Sequence, residues 1–149
     1  MKPPHETRVR VRYAETDQMG VVYYANYLVW MEVGRTELCK ACGFNYRDME
    51  RDDGIFLVVA EVHCRYSGPA RYDDEVIVKS WIGEANHRTV RFEYELRRAA
   101  DDRVLATGYT RHLFASREMR RVTLPRKYFA LFGILVDAHG DVAGDVDIH

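Results

Sequence analysis

Residues 17–43 constrain the fold more than any other part of the chain, because they predict one long helix that is apolar on most of its sides. Apolar residues recur every three to four positions, and further apolar residues widen this stripe around the helix. Gly43 is a suitable stop, since the residue just past a helix often adopts a left-handed conformation. The apolar positions are Leu28, Val29, Trp30, Met31, Val33, Leu38, Ala41 and Cys42, and the narrow polar edge is Glu32, Thr36 and Lys40.

An acid stands a few residues before the start of this helix. Asp17 is followed by a short turn that contains Gly20. The free N–H groups at a helix start can hold a developing oxyanion, and a carboxylate opposite them can act as nucleophile or general base. Gly20 would let the turn approach a substrate closely. Alternatively, Asp17 only accepts hydrogen bonds within the turn, and the spacing alone favours this second interpretation.

Length and charge exclude several classes of protein. A chain of 149 residues predicts one domain, 1–149, that buries a core without disulfides or metal. With 22 basic and 23 acidic residues the net charge is -1, so no overall field favours nucleic acid or an anionic membrane. The first residues carry no apolar signal segment, and no apolar run approaches the roughly 20 residues of a membrane span. We expect a soluble, cytoplasmic protein.

Neither the cysteines nor the histidines show a metal-binding or redox pattern. Cys39 and Cys42 match C-x-x-C, but they lie in the last turn of the predicted helix, where the dipole does not lower a thiol pKa. We interpret them as core thiols. The six histidines have no ligand spacing, and no glycine-rich phosphate loop is present. The sequence therefore predicts no metal and no cofactor.

The rest of the chain is dominated by alternating patterns of apolar and polar residues. They predict five strands, at 7–13, 56–66, 75–82, 89–98 and 104–116, the last with Gly108 at a bulge or a close backbone approach. We expect a connecting loop with at most one helical turn at 45–54, a short helix at 128–132 and a flexible tail at 137–149. The short connections among the last four strands predict an antiparallel arrangement. The predicted class is α+β, with one curved five-stranded sheet around the helix and a second copy helping to cover it.

Two segments resemble one family of enzymes. The run from Asp17 to Tyr27, D-Q-M-G-V-V-Y-Y-A-N-Y after a strand ending in Arg12-Tyr13, resembles the 4-hydroxybenzoyl-CoA thioesterase family, which includes bacterial acyl-CoA thioesterases associated with the Tol-Pal system. Residues 66–74 give a second matching block, and the resemblance covers about residues 7–129. It implies the hotdog fold, a curved antiparallel sheet wrapped around a long helix.

The resemblance also implies roles for individual residues. Asp17 is the expected catalytic carboxylate, and the backbone N–H of Tyr24 is expected to polarise the thioester oxygen. The site is expected at a dimer interface, with a basic residue near the entrance for coenzyme A. The residues expected to shape the turn, line the pocket or bind substrate are Gly20, Val21, Val22, Tyr27, Val59, His63 and Arg88. His63 has the alternative interpretation of an interface histidine with a satisfied hydrogen bond.

The implied activity is hydrolysis of an acyl- or aryl-CoA thioester by a homotetramer built from dimers. Coenzyme A enters only as part of the substrate. Relatives that act on acyl-CoA often have histidine at the position of Tyr24, whereas aryl-type relatives have tyrosine followed by Pro-Asn. This chain has Tyr24-Ala25-Asn26, so the sequence does not decide between an aryl and an aliphatic acyl group. The alternatives are a non-catalytic acyl-CoA-binding module and a hotdog hydratase or dehydratase. The latter pairs a histidine with an acid, and no histidine lies within 17–43.

Overall fold

The computed structural model describes residues 3–135. Its elements are β1 (His5–Arg10), α1 (Asn26–Ala41), α2 (Tyr46–Asp53), β2 (Phe56–Tyr66), β3 (Glu75–Ala85), β4 (Thr89–Arg98) and β5 (Val104–Ala115), with a short 3-10 turn at Arg126–Tyr128. The five strands form one antiparallel sheet in the order β1-β3-β4-β5-β2. The helix α1 packs across its concave face, chiefly over β1 and β3. This architecture confirms the predicted hotdog fold.

The inner strands β3 and β4 bury alternate residues along much of their length. In β4 the buried residues are Val90, Phe92, Tyr94 and Leu96, as the alternation predicted. The closest approach of helix and sheet is at Gly34, where an added Cβ would lie 2.4 Å from Ser80 Oγ and 2.7 Å from Val78 Cγ1. Gly34 therefore sets how near α1 can come to β3.

The connection after β2 does not join neighbouring strands. The link at 67–74 leads from β2, which pairs with β5 at one edge of the sheet, to β3, which lies between β1 and β4. The strands are antiparallel, as the sequence predicted. The link crosses the end of the sheet beneath the start of α1. Ala70, fully buried, accepts a hydrogen bond from Val22 N–H at 2.9 Å through its carbonyl oxygen, and its own N–H donates to Tyr27 Oη at 3.1 Å. These two bonds explain why the link follows this course.

The close backbone approach predicted at Gly108 is confirmed. A Cβ at this position would lie 2.2 Å from the carbonyl oxygen of His63 on the paired strand. No alanine could take this place without separating β5 from β2. The ladder between β2 and β5 shifts register elsewhere, between Val59 and Glu61.

Two predictions about helices were wrong in detail. Residues 45–54 form α2 rather than a loop, because the Asn45 side chain caps the helix by accepting the Asp48 N–H at 2.9 Å, and Gly54 ends it with φ +63°. Residues 128–132 follow a single 3-10 turn instead of forming a helix. The predicted tail at 137–149 lies outside the described residues.

One side of α1 is uncovered in the single chain. Trp30, Met31 and Leu38 are buried as predicted, whereas Val29 remains 50% and Val33 37% exposed, and Ala41 is also exposed. The apolar pattern around the helix is therefore wider than one copy of the sheet covers. No helix in the described part of the chain is both long and apolar enough to cross a membrane.

Candidate active site

The turn before α1 is closed by backbone hydrogen bonds between its two ends. Asp17 N–H donates to Val21 O at 2.8 Å, and Tyr23 N–H donates to Glu15 O at 2.8 Å. At the tip, Gly20 N–H donates to Asp17 O at 3.0 Å, and Gly20 has φ +78°, a conformation that L side chains rarely adopt. The glycine is thus required by the turn itself, and a Cβ here would meet no atom within 4 Å.

The carboxylate of Asp17 is only partly engaged by this turn. Its Oδ1 accepts the Met19 N–H at 2.8 Å, which is the local hydrogen bond expected if Asp17 only stabilises the turn. Its Oδ2 accepts no hydrogen bond within residues 3–135, and no basic group there lies within ion-pair distance of the side chain. One carboxylate oxygen therefore stays available to a bound molecule.

The start of α1 leaves an N–H group similarly available. The N–H groups of Asn26, Tyr27 and Leu28 donate to the carbonyl oxygens three residues before them, at 3.0, 3.3 and 3.1 Å. The N–H of Tyr24 has no acceptor in the described region. A free N–H at the positive end of a helix is suited to an oxygen that gains negative charge.

A group of tyrosines borders this position. Tyr66 Oη donates to Tyr24 O at 2.9 Å, and the Tyr66 ring meets the Tyr27 ring edge to face at a centroid distance of 5.1 Å. Burial raises the pKa of both Tyr27 and Tyr66, so both phenols remain protonated at neutral pH. The tyrosines thus offer neutral, largely flat surfaces beside the acid.

These residues enclose an open cleft of about 310 Å³, here called the Asp17 cleft. It brings together five of the predicted site residues and adds four that the sequence did not single out for the site. The predicted ones are Asp17, Val21, Val22, Tyr24 and Tyr27, and the added ones are Met19, Tyr66, Gly68 and Pro69. Gly20 shapes the turn without lining the cleft. The cleft combines one acid, a residue with a free N–H at the start of α1, and an apolar, aromatic wall.

Besides Gly20, three predicted site residues do not line the cleft of the single chain. Val59 and His63 lie on β2, both exposed, and His63 stacks on Tyr109 at a ring distance of 5.3 Å. Arg88 lies in the link between β3 and β4, where its carbonyl oxygen accepts the Phe114 N–H at 3.3 Å. That is the end of the sheet opposite the cleft, roughly 30 Å away at about 3.3 Å per strand residue.

Glu15 is a residue at this site that the sequence interpretation missed. It is only 5% exposed, and its carboxyl oxygens accept the Arg12 N–H at 2.8 Å and the Trp30 Nε1–H at 3.0 Å. Its carbonyl oxygen also accepts from Asn26 Nδ2 at 3.0 Å. Glu15 therefore ties the end of the first strand segment to the first two turns of α1. The signal for this connection that the sequence offers is an acidic residue two positions before Asp17.

A second, larger groove of about 430 Å³ lies at the other end of α1. Among the described residues, its lining is mainly apolar and includes Leu38, Cys42, Trp81 and Phe132, together with the acidic Glu84. Nearby, burial raises the pKa of the Cys39 thiol to about 12, which makes this thiol inert at neutral pH. In the part of the chain that is described, no three metal-ligating side chains come together.

Comparison with known proteins assigns the chain to a family. Residues 11–130 match the model of the thioesterase-like superfamily. YneP of Bacillus subtilis, provisionally named an acyl-CoA thioesterase, is 53% identical over 78 residues, which are 52% of this chain and 56% of that protein. The acyl-CoA thioesterase YbgC of Haemophilus influenzae is 34% identical over 90 residues, 60% of this chain and 66% of that protein. The alignments thus span between half and two thirds of these two relatives.

A solved structure extends the likeness to most of the chain. The DHNA-CoA thioesterase of Staphylococcus aureus superposes with a TM-score of 0.83 at 29% identity, covering 87% of this chain and 89% of that one. The resemblance inferred from the two sequence blocks is confirmed at the level of family and fold.

Proposed function

The chain belongs to the thioesterase-like superfamily, and on that premise we propose that it is an acyl-CoA thioesterase that releases a free acid and coenzyme A. The observation that carries the proposal is the pairing in one cleft of a free carboxylate oxygen and a free N–H. Asp17 Oδ2 and the Tyr24 N–H both lack partners in residues 3–135, and both residues line the Asp17 cleft. The names of YneP, YbgC and the S. aureus enzyme support the same reaction.

The proposed chemistry divides between these two groups. The thioester oxygen lies against the Tyr24 N–H, which stabilises the negative charge of the tetrahedral intermediate. Asp17 either removes a proton from the attacking water or attacks the carbonyl carbon itself to form an anhydride that water then hydrolyses. In both routes the carbon–sulfur bond breaks, the acyl group gains a hydroxyl from water, and the thiolate takes up a proton. Neither route uses a metal or another cofactor.

The proposed enzyme is a dimer, because the single chain leaves two surfaces unfinished. β2 is an edge strand with exposed residues at 59–63, of which Val59 is 46% and Val62 45% exposed. On α1, Val29 and Val33 are also exposed. A second copy that pairs antiparallel along β2 would continue the sheet and cover the exposed residues of this strand. We further propose that two such dimers form a tetramer.

The same pairing would complete the site. If the two β2 strands cross at the middle of the exposed run, near Glu61, the partner subunit's Val59 lies opposite His63. The end of the partner that carries Arg88 then lies beside the Asp17 cleft of this chain. Val59 and Arg88, which are remote from the cleft in one chain, would thus approach it from the other. This arrangement also leaves Tyr24 and Tyr66 as the wall that contacts the acyl group.

The test is hydrolysis of a panel of benzoyl-, hydroxybenzoyl-, short-chain and long-chain acyl-CoAs, followed with a thiol-trapping reagent. Asp17→Asn keeps the Oδ1 acceptor for Met19 N–H, so the turn should persist, while kcat should fall at least about a hundredfold. Asp52→Asn, an exposed carboxylate on α2, is the matched control and should behave as wild type. Enzyme without substrate corrects for the protein's own three thiols.

The outcomes separate the alternatives. If Asp17→Asn retains wild-type kcat, Asp17 is not the catalytic acid and the proposed mechanism is refuted. Wild type that binds these acyl-CoAs but releases no coenzyme A would instead be a binding module. A hydratase is disfavoured since, within residues 3–135 of the single chain, no histidine lines the cleft. Sedimentation of the same samples checks the assembly, and a fully active monomer would contradict the shared site.

A further inference from the structure

One arginine lies flat against the rim of the Asp17 cleft. A Cβ built on Gly68 would lie 2.9 Å from Nε, 3.0 Å from Cζ and 3.1 Å from Nη2 of Arg103. These three nearly equal distances mean that the guanidinium plane covers the α-carbon of Gly68, and only glycine leaves room for it. Gly68 and Pro69 line the cleft, so Arg103 packs directly on a residue of its rim.

Among the described residues, Arg103 differs from its neighbouring arginines in having no acidic partner. The hairpin that joins β4 to β5 carries two aspartates, and both are used by other arginines. Asp102 lies 3.5 Å from Arg97 Nη1, and Asp101 accepts from Arg98 Nη1 at 2.8 Å. Within residues 3–135, the Arg103 guanidinium has no carboxylate within 4.0 Å and donates no hydrogen bond. Its N–H groups are therefore available to an anion.

Arg98, in the same region, is an arginine with a structural role. Its guanidinium is largely buried, with ion pairs to Asp74 and Asp101 and a hydrogen bond to the carbonyl oxygen of Pro69. It thereby holds the loop at 67–74 against the hairpin. Arg103 contacts the same loop from its exposed side without any of these bonds. The loop is thus already anchored, and Arg103 is not needed to hold it.

We propose that Arg103 binds a phosphate group of coenzyme A as the thioester enters the Asp17 cleft. This proposal rests on the proposed function, because coenzyme A supplies the anion. A guanidinium offers two parallel N–H donors to phosphate oxygens, and packing on Gly68 fixes its plane before the ligand arrives. The pantetheine arm would then extend from the rim to Asp17, with its phosphates held outside. The residue adds a phosphate contact at the same end of the sheet as the acid.

The experiment compares two thioesters of the same acyl group, one of coenzyme A and one of N-acetylcysteamine, which has no phosphate. For Arg103→Met, the ratio of kcat/KM for the CoA thioester to that for the truncated thioester should fall about tenfold, through KM. Arg97→Met removes a charge from the same hairpin and should leave the ratio unchanged, since Arg97 is already paired. Gly68→Ala should lower the ratio as well, because its Cβ displaces the guanidinium.

Salt dependence and the binding of free coenzyme A are two further readouts, and the second does not require hydrolysis. Raising the salt concentration should bring the wild-type KM for the CoA thioester towards that of Arg103→Met, since a phosphate contact is screened. Calorimetry with free coenzyme A should show about tenfold weaker binding to Arg103→Met even if the protein hydrolyses nothing, so this result is separable from a failure of the proposed function. An unchanged ratio together with unchanged coenzyme A binding would overturn the assignment.

Discussion

Removing the carboxyl of Glu15 tests the connection between the Asp17 turn and α1. Glu15→Ala deletes the acceptors of two N–H groups, Arg12 N–H at 2.8 Å and Trp30 Nε1–H at 3.0 Å. Trp30 is 3% exposed, so its indole N–H cannot reach water, and a buried donor without a partner costs about 1–3 kcal/mol. The Arg12 N–H is only partly buried, so water replaces much of its bond. We expect a loss of about 2–4 kcal/mol in the free energy of unfolding.

The measurement is urea unfolding followed by far-ultraviolet circular dichroism, which does not depend on tryptophan fluorescence. A loss of this size lowers Tm by about 6–12 °C in a domain of this length. Trp30→Phe removes the donor instead of the acceptor, and in that background Glu15→Ala should cost at least about 1 kcal/mol less. Glu15→Gln keeps the shape but turns an N–H towards one donor, so it should recover only part of the stability.

The reasoning has two clear points of failure. If Glu15→Ala unfolds within about 0.5 kcal/mol of wild type, the buried carboxyl does not stabilise the turn. If the double variant shows no coupling between Glu15 and Trp30, the hydrogen bond to the indole contributes nothing measurable. Either result would also remove the argument that Glu15 ties the end of the first strand segment to α1.

Two further predictions concern the interface of sheet and helix. Burial lowers the pKa of His112 to about 4, so between that value and about 6.5 the unfolded chain binds a proton that the folded chain does not. The free energy of unfolding is therefore highest above pH 6.5 and should fall by about 2 kcal/mol between pH 7 and pH 5. His112→Gln should not show this contribution when urea unfolding is measured at both pH values. Gly34→Ala should cost about 1–3 kcal/mol despite the better helix propensity of alanine, because its Cβ would overlap Ser80 Oγ at 2.4 Å. Ser80→Ala should restore part of that loss, and a stabilised Gly34→Ala would contradict the packing.

Local patterns in the sequence predicted most elements of this fold. The alternation in β4 and the apolar positions of α1 are visible without coordinates, because burial on one side imposes a period of two on a strand and near four on a helix. α2 was missed since its segment is almost entirely polar, and its helix depends on the Asn45 cap and on the burial of Met49 alone. Such a short polar helix carries little periodic signal.

The site was only half visible in the sequence. The motif from Asp17 to Tyr27 places the acid, the turn and the helix start together, since they are consecutive in the chain. Tyr66, Gly68 and Arg103 belong to the cleft or its rim only because the link at 67–74 crosses beneath α1. No local pattern predicts that crossing, which is stabilised by hydrogen bonds between residues more than forty positions apart, such as Ala70 and Tyr27.

The sequence by itself determined the family, the fold class and the acid that we expect to be catalytic, because these depend on contiguous residues. The tertiary structure decided three things that depend on long-range contacts. It placed β2 at the free edge of the sheet beside β5, it left Asp17 Oδ2 and the Tyr24 N–H without partners in the described chain, and it set Arg103 on Gly68 at the rim of the cleft. Strand order and side-chain partners follow from how the whole chain packs, and no stretch of sequence contains that information alone.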